Sequence, residues 1–314
     1  MMSSMTFDAS VHGKWILLGE HAVLRGCPAL AFPVFGKSLE LHWESTGPGA
    51  PFQAVFKGER GHEFRLLFSG VFDRALELIG RPQDPTLRHG TFEVQSSLPV
   101  GAGLGASAAL SVAVGRWFVA RGAIKERELF EFCREIENLF HGESSGVDVA
   151  VALENRGLHF ERQSGLMRGF DLSWQPRWYI SFSGARGITS ECVNKVKAWI
   201  AECPAEGERV DALMEEAVSL AEQSLTRVAL TDIERSERFE SLRSAIELGA
   251  QCFSDWGLSG GELGRHMDWL RTKGAAAVKP TGSGGGGFAL SLWRERPVAE
   301  IENQLIPVFR EDHS

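Results

Sequence analysis

Leu98-Pro99-Val100-Gly101-Ala102-Gly103-Leu104-Gly105-Ala106-Ser107-Ala108-Ala109 joins a β-forming run at 91–96 to a run of small apolar residues at 106–120. The pattern predicts a strand, a glycine-rich turn and a buried helix that begins at the turn. Such a turn can cradle an anion. Residues without side chains let backbone N–H groups approach a phosphate closely, and the helix amino terminus adds unsatisfied donors and a partial positive charge. The hydroxyl of Ser107 falls in the first helical turn, placed to reach a phosphate-bound magnesium ion. Tight strand–helix packing is the other use of such glycines, and on the glycines alone the two readings stand level.

Outward from this stretch, residues 7–67 read as short β-like runs (15–18, 29–32, 38–43, 52–56 and 63–67) divided by Gly and Pro turns. A helix-like segment follows at 70–79. Residues 125–140 form the clearest amphipathic helix, with Leu129, Phe132, Cys133, Ile136, Leu139 and Phe140 recurring at three and four positions. After a loop at 141–147, β runs are expected near 157–160 and at 178–183. Helices are expected at 189–201, 206–225, 232–256 and 261–273, and β runs at 276–278 and 288–293 around a second glycine cluster, 282–287. No internal repeat is present. The expectation is an α+β protein in two parts, 1–173 and 174–314, with the boundary in the loop at 170–176.

The chain has 314 residues, long enough for two modest domains, and 43% of them are hydrophobic, enough for a packed core. Its 33 basic and 41 acidic residues leave a net charge of −8, which argues against nucleic acid or an anionic membrane as the main partner. A local site can still be positive. The five cysteines form no C-x-x-C pair, so neither a zinc ribbon nor a dithiol redox motif is suggested. Without a signal-like amino terminus or an apolar run near the ~20 residues that span a bilayer, the expectation is a soluble cytoplasmic enzyme with reduced thiols.

Three decoys fall away or weaken. Gly36-Lys37-Ser38 resembles the end of a Walker A loop, but the glycine needed five positions earlier is Ala31. Residues 282–287 fit G-x-G-x-x-G, yet the 27 residues after Gly287 cannot supply a βαβ unit with an acidic ribose ligand. Gly105-Ala106-Ser107-Ala108-Ala109 approximates a nucleophile elbow without its closing glycine, and a serine hydrolase stays as a weak competitor.

Three segments in order resemble the signature motifs of the GHMP kinases, the superfamily of galactokinase, homoserine kinase, mevalonate kinase and phosphomevalonate kinase. The first is His12-Gly13-Lys14-Trp15-Ile16-Leu17-Leu18-Gly19-Glu20-His21-Ala22-Val23-Leu24. The second is the glycine stretch above, and the third is Lys279-Pro280-Thr281-Gly282-Ser283-Gly284-Gly285-Gly286-Gly287. Within the superfamily, Gly19-Glu20-His21-Ala22-Val23, His141-Gly142 and Ser145-Gly146-Val147-Asp148 are similar to the mevalonate kinase branch. Departures are His12 and Ser144, where the family commonly has proline, and Ala106 in place of the first of two serines.

The resemblance implies the two-domain GHMP fold, an amino-terminal domain like ribosomal protein S5 domain 2 and a ferredoxin-like carboxy-terminal domain, with ATP and substrate in the cleft between them. It implies ATP and Mg²⁺ as cofactors and mevalonate as the phosphoryl acceptor, yielding 5-phosphomevalonate. Pro99, Gly101, Ala102, Gly103, Leu104, Gly105, Ala106, Ser107, Gly284 and Gly285 match nucleotide-binding positions. Asp148 matches the catalytic aspartate that takes the acceptor proton, and Lys14 the lysine beside the γ-phosphate. Ser107 and Glu137 match the magnesium ligands; Glu20, His21, Arg186 and Thr189 match positions at the substrate. Homodimers are common in the family.

Read by themselves, these residues have plainer uses: Asp148 as a helix cap, Lys14 as a solvated lysine, Glu137 in a salt bridge, His21 as a structural hydrogen-bonding group. Two rivals at the level of function are a GHMP kinase for a sugar or another hydroxy acid, and a non-catalytic ligand sensor of the same fold. Keeping Lys14, Ser107, Glu137 and Asp148 together counts against the sensor.

Overall fold

The computed structural model describes residues 5–45, 51–58, 60–141, 143–169 and 171–309. In chain order the first part carries β1 (Thr6–Leu18), β2 (Ala29–Glu44), β3 (Gln53–Lys57), α1 (Phe64–Leu78), β4 (Thr91–Ser96), α2 (Ala106–Ala120), α3 (Leu129–His141), α4 (Val147–Glu154), β5 (Leu158–Glu161) and β6 (Leu166–Gly169). The second part carries β7 (Arg177–Phe182), α5 (Thr189–Glu202), α6 (Pro204–Thr226), α7 (Asp232–Asp255), α8 (Gly261–Thr272), β8 (Ala277–Thr281), β9 (Phe288–Trp293), α9 (Ala299–Glu302) and β10 (Ile306–Pro307). The class is α+β, as expected.

Local readings differ from this in two places. Residues 63–67, expected as a β run, are the end of a 3₁₀ turn and the start of α1. Phe64, Leu67, Phe68, Val71, Phe72, Ala75 and Leu76 all point inward at helical spacing, a period that a five-residue window is too short to reveal. The runs expected at 29–32 and 38–43 are one strand, β2. Its start pairs antiparallel with β5 (Ala29↔Phe160) and its end with β4 (Leu41↔Val94), Pro33 and Gly36 fall between these two registers, and β2 also pairs with β1.

The chain divides into two compact units. The first holds the described residues of Met1–Gly13, Lys37–Val100 and Gly105–Asn155. In it β4 pairs with the end of β2 and, in parallel, with β3. The inner face of this sheet meets α1 and α2 through aromatic rings: Phe92 lies 5.0 Å from Trp117 and 5.3 Å from Phe72, and Trp43 lies 5.6 Å from Trp117. Such contacts each contribute roughly 0.5–1.5 kcal/mol beyond the area they bury.

Helix α3 packs closely on α2 because Gly115 has no side chain: a Cβ there would lie 2.7 Å from both Cys133 Sγ and Leu129 Cδ1. Ser107, Ser111 and Gly115 recur every four residues on α2, as Leu129, Cys133 and Glu137 do on α3. Two i,i+4 ridges therefore face each other along the helix pair.

The second unit holds Lys14–Gly36, Gly101–Leu104 and the described residues of Arg156–Ser314. Its sheet runs β10-β7-β9-β8, all antiparallel, with Tyr179 opposite Ser291. Strand β8 is wholly buried and packs on α7, which in turn packs on α6. Trp15 stacks on Phe32 at 4.9 Å and meets Trp178 edge-on at 5.0 Å. Among the described residues no helix is long and apolar enough to cross a membrane.

Candidate active site

In the first unit, α2 begins at Gly105, a left-handed residue (φ 72°) with no side chain to cap the helix. The first N–H groups of α2 have no partner within the helix, so they face outward as donors. Pro99 is buried, and the N–H of Val100 donates to Glu63 at 3.0 Å, which fixes the strand end that leads into the turn. Two residues into α2, the Ser107 hydroxyl donates to Glu137 Oε2 at 2.9 Å. One turn further on, Ser111 donates to the other oxygen, Oε1, also at 2.9 Å.

Glu137 is fully buried (0% exposed), and its carboxylate accepts from two serine hydroxyls. Ser107 and Glu137 Oε2 present hard oxygens of the kind magnesium takes. Among the described residues there is no cluster of three or more His, Cys, Asp or Glu able to hold a metal alone.

Asp148 stands in the first turn of α4, whose cap is Gly146 (φ 90°), so the helix-cap use of Asp148 does not hold. The loop before it is tied down. Asn138 Oδ1 on α3 accepts from the Ser144 N–H at 2.7 Å, and Ser144 Oγ accepts from the Gly146 N–H at 3.2 Å. Ser144, a departure from the proline that the resemblance led one to expect, supplies an N–H that proline lacks. Gly142, part of the His141-Gly142 match, lies outside the described residues. Helices α2, α3 and α4 pack on one another, so Ser107, Glu137 and Asp148 belong to one bundle.

In the second unit, 101–104 and the second glycine cluster lie back to back. A Cβ on Gly287 would sit 2.9 Å from the Ala102 carbonyl oxygen, and one on Gly282 3.5 Å from that of Gly103. The loop bearing Arg186 joins them: a Cβ on Gly187 would sit 2.5 Å from the Gly284 carbonyl oxygen, and the Gly287 N–H donates to the Ala185 carbonyl at 2.7 Å. Three backbones are stacked with no side chain between them. Arg186 is exposed, and Thr189 opens α5 with its hydroxyl 3.4 Å from that of Ser283. The Lys14 N–H donates to the Leu104 carbonyl at 3.0 Å, and its side chain is buried, not solvated.

Glu20 and His21 follow a turn at the end of β1. Glu20 is buried against Lys279 of β8, Oε1 to Nζ 2.6 Å, and Lys279 also donates to the Pro280 carbonyl at 2.5 Å. Burial pushes the Glu20 carboxyl up and the Lys279 ammonium down, while each partner's charge opposes that shift. Glu20 Oε2 is buried with no hydrogen-bond partner in the protein.

His21 is one of two non-glycine residues with positive φ (58°) among those described. Its Nε2 lies 2.9 Å from the Ser283 carbonyl oxygen, which can only accept, so this nitrogen carries the proton. The ring lies edge-on to Trp256 at 5.2 Å, and burial pulls its pKa down to about 4, leaving a neutral imidazole. Arg25 grips Asp211 with two nitrogens, at 2.6 and 2.5 Å, and donates to the His21 carbonyl at 3.2 Å.

The first unit therefore gathers Pro99, Gly105, Ala106, Ser107, Glu137 and Asp148. The second gathers Lys14, Glu20, His21, Gly101–Leu104, Arg186, Thr189, Gly284 and Gly285. Sequence reading gave no individual role to Ser111, Gly187, Ser283 or Lys279, although Lys279 and Ser283 stand in the third motif. Ser111 was detectable as the i+4 neighbour of Ser107, and Lys279 as a charge beside an otherwise apolar β run; Gly187 left no local signal.

The sequence model of the GHMP kinases N terminal domain matches residues 67–156. The mevalonate kinase of Thermococcus gammatolerans is 29% identical over 307 residues, covering 92% of this chain and 89% of that one. In fold, the chain is similar to L. major mevalonate kinase, solved with R-mevalonate, at a TM-score of 0.74 and 22% identity over 96% of this chain and 90% of that one. Streptococcus pneumoniae phosphomevalonate kinase, solved with phosphomevalonate and AMPPNP, gives 0.67 and 16%, covering 92% and 91%. A glycine-capped helix, a serine–glutamate oxygen pair and relatives of one kind along nearly the whole chain are what this chain has in common with the GHMP kinases it resembles.

Proposed function

We propose that the chain transfers the γ-phosphate of ATP to the 5-hydroxyl of mevalonate, giving ADP and 5-phosphomevalonate. The observation that carries the phosphoryl-transfer part is the buried Glu137 carboxylate held against Ser107 at the uncapped start of α2. Outward N–H groups of α2 take phosphate oxygens, and the backbones of 101–104 and 282–287 supply further approach without side-chain obstruction. Ser107 and Glu137 Oε2 would hold magnesium, which when bound would neutralise charge on the phosphates.

Asp148 accepts the acceptor's hydroxyl proton, and Lys14 offers a cation where charge builds on the transferred group. Glu20 and His21 act on the substrate through what they hold in place. The neutral His21 ring fixes the Ser283 carbonyl, and the Glu20–Lys279 pair fixes the end of β1 to β8. Mevalonate as acceptor rests on the relatives at up to 29% identity over nearly the whole chain.

The test is ADP release with a panel of acceptors: mevalonate, phosphomevalonate, galactose and homoserine. Turnover that depends on mevalonate and exceeds that with each other acceptor by at least tenfold is expected. Preference for another acceptor would move the chain to a different branch of the superfamily, and nucleotide binding without turnover on any would leave only a sensor.

A further inference from the structure

We infer that Ser111 is a positioning residue for the metal site: it holds one oxygen of Glu137 so that the other faces the point where magnesium joins Ser107. The inference rests on the assignment of Ser107 and Glu137 as the magnesium pair. A buried carboxylate that loses a hydrogen-bond partner pays for desolvation and turns to find another, so its free oxygen loses a fixed direction. Here the two oxygens are divided. Oε2 meets Ser107, which is partly exposed at the helix start, and Oε1 meets Ser111, which is fully buried (0% exposed) one turn deeper.

Ser111 is too deep to ligate an ion bound at the mouth of the helix. Its surroundings are built to keep it in place. The Cys133 thiol donates to the Ser111 carbonyl at 3.3 Å. Gly115, the next residue along the same ridge, lets α3 approach closely enough for the glutamate to reach both serines. The i,i+4 pair Ser107–Ser111 thus divides the work, with the outer hydroxyl facing the ligand and the inner one aiming the carboxylate.

The test is Mn²⁺ affinity in the presence of AMPPNP, read from free Mn²⁺ by electron paramagnetic resonance, for the wild type, Glu137→Gln and Ser111→Ala. Removal of an outer partner of a metal ligand typically weakens the metal by roughly 10–100-fold, and Ser111→Ala is expected in that range. If Glu137→Gln weakens Mn²⁺ and Ser111→Ala binds it like the wild type, the positioning role of Ser111 is wrong while the magnesium pair stands. If Glu137→Gln binds Mn²⁺ like the wild type, both fall. A merely structural serine would lower the melting temperature and leave Mn²⁺ affinity unchanged, which also overturns the inference. Should Ser111→Ala not fold, Ser111→Cys, close in volume but a weak donor, carries the same comparison.

Discussion

Lys279 and Glu20 are paired, Nζ to Oε1 2.6 Å, with 0% and 2% of their side chains exposed. A buried pair is worth little against a well-packed apolar pair, but removing one partner strands a charge. Lys279→Met is therefore expected to lower stability by about 3–5 kcal/mol in denaturant melts. The double variant Glu20→Leu, Lys279→Met should recover most of that loss. A double variant that loses as much as the two single variants added together would show that the two side chains act independently.

Asp148→Asn keeps the shape of the side chain and removes its ability to take a proton. Turnover should fall on the order of 10²–10⁴-fold with the affinity for nucleotide unchanged. Lys14→Met should lower kcat by about 10²–10³-fold. Stopped-flow or coupled detection of ADP, with nucleotide binding by calorimetry, separates the two effects. A full-rate Asp148→Asn enzyme would remove this carboxylate from the chemistry.

His21 makes the fold acid-sensitive. Its pKa in the fold is about 4 against an ordinary 6.5, so the unfolded chain binds the proton first as pH drops. The stabilisation from keeping it neutral is whole above pH 6.5 and is lost as pH falls from 6.5 toward 4, on the order of 3 kcal/mol in all. Melts between pH 7 and 4 should be flatter for His21→Asn than for the wild type. Parallel profiles would mean that other groups carry the acid sensitivity.

Gly187→Ala introduces a Cβ 2.5 Å from the Gly284 carbonyl oxygen, a backbone atom that cannot swing aside. The 282–287 loop must move, at about 1–3 kcal/mol of stability. Because that loop backs 101–104, nucleotide affinity should weaken roughly tenfold, the equivalent of about 1.4 kcal/mol. Wild-type nucleotide affinity in this variant would disconnect the Arg186 loop from the nucleotide.

Much of the fold was legible in advance. Strand 91–96, helix 106–120 and strand 288–293 were expected at the bounds the structure gives them, because each pairs a clear hydrophobic period with a Gly or Pro boundary. The run 63–67 misled because five residues cannot separate a strand from a buried helix turn. At the site, Ser107, Glu137 and Asp148 could be named from local pattern and resemblance, since a glycine turn, an amphipathic helix and a helix start are each written in neighbouring residues.

The sequence by itself determined most of the element order and pointed to the glycine stretches and charged groups on which the proposed function draws. Only the tertiary structure decided what those groups touch. Ser111 reaches Glu137 across 26 positions, His21 reaches Ser283 across 262 and Glu20 reaches Lys279 across 259. The physical reason is that propensity and periodicity act within a turn or two of chain, whereas the partner of a buried charge is chosen by packing. Close approaches such as Gly115 on α3 and Gly187 on Gly284 set that packing, and no local pattern encodes them.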